Sequence, residues 1–186
     1  MRSKASPIFS IRLLALAAAL VLSTTAQAVP DAPFQSAFAH FSQARSGDSA
    51  AVDQAAQAFA DLLHTEPGNP VLMAYAGAAT AMRANTTLLP WKKMSYAEDG
   101  MALIDKALAL LTPAHNAVVQ RNVPGVLEVR FVAANTFLAV PGFMNRGARG
   151  AKLLGEVLDS PLFEQAPAAF QDAVRQRAAQ LKANAS

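Results

Sequence analysis

The chain has 186 residues, 53% of them apolar, no cysteine and a formal net charge of +3. That excess sits at the amino terminus: setting aside Arg2, Lys4 and Arg12 leaves 13 Lys+Arg against 13 Asp+Glu. The basic pI of about 9.5 therefore gives no ground for nucleic-acid binding, and the missing thiols exclude both disulfide staples and an acylated lipoprotein cysteine.

The first predicted element is a targeting segment. Arg2, Lys4 and Arg12 precede the apolar run "LLALAAALVL" (Leu13–Leu22), and "AQA" (Ala26–Ala28) offers small residues for cleavage before Val29. A run this short cannot cross roughly 30 Å of hydrocarbon, so residues 1–28 read as a secretory signal peptide. The expectation is a single exported domain over 29–186, periplasmic in the first instance and secreted otherwise. A domain of this size can bury roughly 70% of its unfolded surface and needs no covalent staples.

Seven helices follow in order. Apolar residues recur at three and four, alanine and leucine dominate, and β-branched alternation is nearly absent. The spacing predicts helices over 32–45 and 49–65, with Asp48 or Ser49 as N-cap. It predicts a second pair over 70–85 and 96–111, with Asn69 capping and Pro70 as first helical residue. A third pair covers 124–139 and 148–159. The last helix, 167–182, places Phe170, Val174, Ala178 and Leu181 on one face and Arg175, Arg177 and Lys182 elsewhere, as suits a cap with a solvated outer side.

Three of these helices align with one another: "AAQAFADLL" (Ala55–Leu63), "GMALIDKAL" (Gly100–Leu108) and "GAKLLGEVL" (Gly150–Leu158). Each opens on a small residue and carries apolar pairs spaced by four, which make a wide stripe. Each is followed within three to five residues by proline (Pro67, Pro113, Pro161), a stop signal outside the helix. At "AAQAFADLLHTEPGNPVLMAYAGAA" the chain resembles the tetratricopeptide-repeat superfamily. Ala55, Phe59 and Pro67 fall on its small, aromatic and proline positions, and Gly77 on the glycine of the next repeat. Met73, Ala76, Thr80 and Leu62 depart from the pattern, and only this junction matches well. The resemblance implies an all-α, tetratricopeptide-like solenoid of about three helix pairs plus a capping helix, and with it protein–protein recognition.

In that register about eleven residues are inserted before Gly100, centred on "LLPWKKMSYAEDG" (Leu88–Gly100). A second interruption is "PGFMNRGARG" (Pro141–Gly150). Both bring proline, an aromatic, methionine and bases to one side of a hairpin. Either Leu88, Leu89, Trp91 and Tyr96 fold back as a local core, the reading favoured for Trp91, or Trp91 is an anchor rimmed by lysines. The partner-binding candidates are Trp91, Lys92, Lys93, Phe143, Arg146, Arg149 and Lys152, offered to an acidic protein or peptide.

No catalytic constellation stands out. His40, His64 and His115 lack metal-ligand spacing, and His64 suits the end of its helix. "GARGAK" (Gly147–Lys152) lacks the spacing of a phosphate loop, and Asn85-Thr86-Thr87 carries little weight as a sequon. Met73, Met82, Met94, Met101 and Met144 read as gap-fillers rather than copper ligands. The expectation is a non-enzymatic adaptor or assembly factor of the cell envelope, without cofactor, metal or transmembrane span after cleavage. The alternative is an exported binder of a small apolar or anionic ligand held between the inserted loops and the helices.

Overall fold

Two side-chain caps set the frame. Asp48 accepts hydrogen bonds from the backbone N–H of Ala50 (2.9 Å) and Ala51 (3.4 Å), opening a helix over Ser49–Thr65. Asn69 does the same for Val71 (3.0 Å) and Leu72 (3.2 Å) ahead of Pro70–Thr86, with Pro70 in the first turn, where its missing N–H leaves no bond unmade. The computed structural model describes residues 31–184, and the expected signal peptide lies outside them. The described residues form α1 (Asp31–Arg45), α2 (Ser49–Thr65), α3 (Pro70–Thr86), α4 (Pro90–Ala109), α5 (Gly125–Ala139), α6 (Gly147–Leu158) and α7 (Ala168–Ala183). The fold is all-helical, and the sole β feature among the described residues is an isolated antiparallel bridge between Val118 and Pro124.

Successive helices pack in pairs, α1 on α2, α3 on α4 and α5 on α6, while α3 also meets α2 and α5, and α7 closes on α6. Backbone approach explains the small residues noted in the sequence. A Cβ added to Gly77 would lie 2.6 Å from the carbonyl oxygen of Gly100, and one added to Gly100 would lie 2.5 Å from that of Gly77. α3 and α4 therefore cross glycine on glycine. Gly150 plays the same part on α5, where a Cβ would meet Leu138 at 2.9 Å and the Ala134 carbonyl at 3.1 Å.

α3 is apolar all round and buried without a break from Pro70 to Ala79, as a helix with neighbours on every side must be. An aromatic cluster ties it to the first pair: Tyr75 stacks on Phe59 at 4.8 Å between ring centroids and meets Phe34, Phe38 and Phe41 edge-on. Such offset and edge geometries suit the ring quadrupoles. At the other end of the chain Phe131 of α5 meets Phe170 of α7 at 5.3 Å. Phe170 and Val174 of α7 are buried, and Ala178 and Leu181 pack beside them, as the periodicity anticipates.

One boundary differs from expectation. α4 begins at Pro90, not residue 96, so most of the supposed inserted loop is helix. Proline in the first turn, followed by lysines, methionine and alanine, is compatible with helix throughout. The hairpin connection shrinks to Thr87–Leu89. The connection between α4 and α5 holds two 3-10 turns, Pro113–Asn116 and Gln120–Asn122.

Candidate functional site

Five helices and one turn surround an open groove of about 180 Å³, with α4 contributing only Ala97. Phe38, Phe41 and Arg45 come from α1, and Tyr75, Met82 and Asn85 from α3. Phe131, Val132 and Asn135 come from α5, Ala173 from α7 and Arg121 from the second 3-10 turn. α3 and α5 run side by side in one direction. Tyr75 near the start of one meets Glu128 near the start of the other, and Asn85 and Val140 at their far ends line the same groove. Beyond Asn85 the groove continues into a shallower hollow of about 470 Å³ lined by Arg45, Asn85, Asn135, Arg177 and Gln180 among others. No acidic side chain lines either space among the described residues. The floor is apolar and the polar groups on its walls are cationic, amide or hydroxyl.

At one end the groove is closed by a buried ionic cluster. Glu128 is 1% exposed, in a helix otherwise apolar at its buried positions. The Tyr75 hydroxyl donates to Glu128 Oε1, and Arg121 Nη1 donates to the same oxygen at 2.6 Å and to the Tyr75 hydroxyl at 3.1 Å. The Arg121 guanidinium also lies over the Phe38 ring, 4.2 Å from its centroid, which lets a cation sit against an aromatic wall. Burial, reinforced by the neighbouring Glu128 charge and only partly opposed by Arg121, raises the Tyr75 pKa well above its ordinary value of 10.0. The phenol stays neutral and keeps donating. Desolvation pulls the Arg121 pKa down, but Tyr75 and Glu128 outweigh it and hold it raised.

Delivering Arg121 to this point bends the backbone. Arg121 and Asn122 both adopt left-handed φ, 64° and 57°, a conformation that disfavours a β-carbon by about 1–2 kcal/mol. Asn tolerates it; Arg121 is held there by its two hydrogen bonds. The turn is anchored from outside as well: Val119 N–H donates to Val123 O at 3.0 Å, and Gly125 N–H to Ala117 O at 3.0 Å.

The seven residues singled out in the sequence fall into separate places. Trp91 does not pack over the hairpin: it is 67% exposed, because α4 extends past the end of the connection and carries it outward. Lys92 and Lys93 are exposed beside it and form no ion pair among the described residues. Arg146 and Arg149 instead converge on one carboxylate, Asp105 of α4, at 2.9 and 2.6 Å, each within 5.3 Å of the Phe137 ring. Lys152 pairs loosely with Glu156 at 3.9 Å, and Phe143 is exposed in the α5–α6 connection. Asp105 stands 14 residues after Trp91, about 21 Å of helix rise. The second set of bases is thus held on Asp105, far along α4 from the first, and the two do not form one rim.

No protein-family model, curated protein or solved structure matches this chain. The site must therefore be read from its own residues. Tyr75, Arg121 and Glu128 are the ones that sequence reasoning missed. Glu128 carried a signal, a lone carboxylate in the apolar run "GVLEVRFV", since a buried charge demands a partner. Arg121, in an irregular segment, carried none. No group of three or more His, Asp or Glu able to hold a metal occurs among the described residues. His115 is used structurally, its Nδ1 accepting the Thr112 backbone N–H at 2.9 Å.

Proposed function

We propose that the protein is an exported, non-enzymatic interaction module in which helical hairpins stack in a tetratricopeptide-like manner and a partner's segment docks in the groove. The observation that carries this reading is the groove itself: α1, α3, α5 and α7 line one open trough with an apolar floor, to which α4 adds the single residue Ala97. Alternate helices lining a concave surface are what stacked two-helix units produce. The reciprocal glycine crossing of α3 and α4 and the pairing of consecutive helices support the same arrangement. The segment it suits is acidic with interspersed apolar side chains, since Arg45 and Arg177 line a space without carboxylates, whereas Arg121 is already paired with Glu128. The signal-like amino terminus supports a periplasmic or secreted setting.

Selection from a displayed peptide library tests this. Acidic, apolar-containing peptides are expected to enrich on the wild-type protein and to lose binding to Arg45→Glu and to the groove-filling Met82→Trp. Enriched peptides indifferent to both changes would refute the groove as the docking site. The same two arginines and confined floor also favour a second reading, a small amphiphilic anion as ligand. A rise in Tm with medium-chain carboxylates but with no peptide would select it, because any ligand that binds only the folded state raises stability.

A further inference from the structure

Large apolar side chains exposed to solvent are few among the described residues, and they are not scattered. Four of the seven, Leu88, Leu89, Trp91 and Met94, fall within seven consecutive positions. Leu88 is 92% exposed, so nothing in the fold covers it. Neither the groove nor the hollow beside it is lined by any residue from 88 to 96. The feature is a projecting tip, made of the α3–α4 connection and the first turns of α4. Lys92 and Lys93 are its only charges, and the first acidic residues, Glu98 and Asp99, come more than a helical turn later. The start of α4 has no side-chain cap and no acidic residue in its first turn, so its positive dipole end is not offset. Phe143, 68% exposed, lies in the α5–α6 connection, which leaves α5 at the end where α3 also finishes.

We propose that this tip docks the protein peripherally on an anionic lipid bilayer, with Leu88, Trp91 and Met94 entering the interfacial layer and Lys92 and Lys93 meeting the headgroup phosphates. The chemistry of each residue fits that occupant. Indole prefers the boundary between hydrocarbon and headgroups, where an apolar ring and a polar N–H are both satisfied. Lysine stems lie along apolar surface while the ammonium reaches outward. Aliphatic and aromatic residues beside bases are the combination by which helices rest in an interface without spanning it. No helix among the described residues is long and apolar enough to cross a membrane, so the attachment is superficial. A projecting tip without a concave counter-surface suits a fluid, deformable layer, and its uncompensated positive charge suits an anionic one.

The chain's only tryptophan is at the tip, so its emission reports the site directly. The test uses the full chain with vesicles of phosphatidylglycerol and phosphatidylcholine in equal parts. Bulk vesicle binding is not the readout, because the apolar run Leu13–Leu22 could produce it. The readout is the blue shift of Trp91 and its quenching by brominated acyl chains. Both are expected with the anionic vesicles and not with pure phosphatidylcholine, and both should weaken in about 1 M salt, where the Debye length falls to about 3 Å. Each lysine near an anionic leaflet strengthens attraction about fivefold, so Lys92→Ala/Lys93→Ala should weaken the tip's association about thirtyfold while helicity is unchanged. Leu88→Ser should reduce quenching with both lysines intact. An emission spectrum indifferent to anionic vesicles would overturn the assignment in favour of a protein partner. A blue shift on concentrating the protein without lipid would overturn it in favour of a second copy of the chain.

Discussion

The α3–α4 hairpin contrasts with the groove wall it supports in how each treats the rule that apolar groups go inside and charges outside. At Tyr75, Arg121 and Glu128 the rule is broken inward: a carboxylate is 1% exposed and its counter-charge reaches it from a turn seven residues earlier. At Leu88–Met94 it is broken outward, with leucines and a tryptophan in solvent. The first violation is compensated within the molecule by an ion pair, a phenolic hydrogen bond and an aromatic wall. The second has no internal compensation at all. A buried charge that has found its partners serves the fold, whereas exposed apolar surface without partners points outside the chain.

Mutations should separate the two regions sharply. Glu128→Ala leaves the Arg121 guanidinium half-buried against Phe38 with its main acceptor gone. Breaking a buried ion pair from one side costs about 3–5 kcal/mol, and partial solvent access at Arg121 puts the expected loss at the lower end. Urea unfolding followed by circular dichroism would show it as a fall in midpoint at unchanged slope. A loss under about 1 kcal/mol would mean that the cluster is ornamental and the contrast false. Gly100→Ala comes next. Its new methyl would meet backbone at 2.5–2.7 Å, so α3 and α4 must separate, at a cost of about 1–3 kcal/mol even after alanine's better helix propensity. If the hairpin crossing is what projects the tip, Trp91 emission should change in this variant too.

How much of this could be read beforehand follows from range. Helix boundaries depend on local chemistry, and Asp48, Asn69 and Pro70 fixed theirs within a residue or two. The small residues Gly77, Gly100 and Gly150 stood out in the sequence as repeat positions, but that they sit where helix backbones touch emerged only from the structure. The start of α4 was misplaced because an aromatic and two lysines look like loop furniture, although proline in a first turn is an ordinary helix opening. Side-chain destinations were less legible. Arg146 and Arg149 looked like free bases because Asp105, their common partner, is 41 and 44 residues away. Arg121 was invisible for a stronger reason: its position depends on two consecutive left-handed residues, which no periodicity encodes.

Alkaline pH sharpens the contrast from the side of the cluster. Tyr75 has a folded-state pKa raised above 10.0, so the native protein keeps the phenolic proton when the unfolded chain would release it. Its contribution to stability is complete below pH about 10 and declines as pH rises from there through the folded-state value. Tyr75→Phe removes the group, costs about 1.5 kcal/mol at neutral pH through the lost hydrogen bond to a charged acceptor, and abolishes that decline. Wild type and variant should therefore converge in stability at high pH. Parallel curves up to pH about 11 would show that the phenol is not held by its buried neighbours.

The smallest effect is the most discriminating. Leu88→Ser and Trp91→Ser remove large apolar side chains, changes that inside a core would cost several kcal/mol. At positions 92% and 67% exposed there is almost no burial to lose. The expected change in folding stability is within about 0.5 kcal/mol, and exchanging exposed apolar surface for hydroxyl should reduce self-association. A stability loss of 2 kcal/mol or more, seen in the same urea titrations, would place these side chains in the molecule's own core and return Trp91 to the packing role first expected of it. Unchanged stability means that the fold has no use for either side chain. Whatever keeps two such residues in water then acts on the protein's surface and not on its folding, which is the asymmetry that the buried carboxylate of α5 sets in relief.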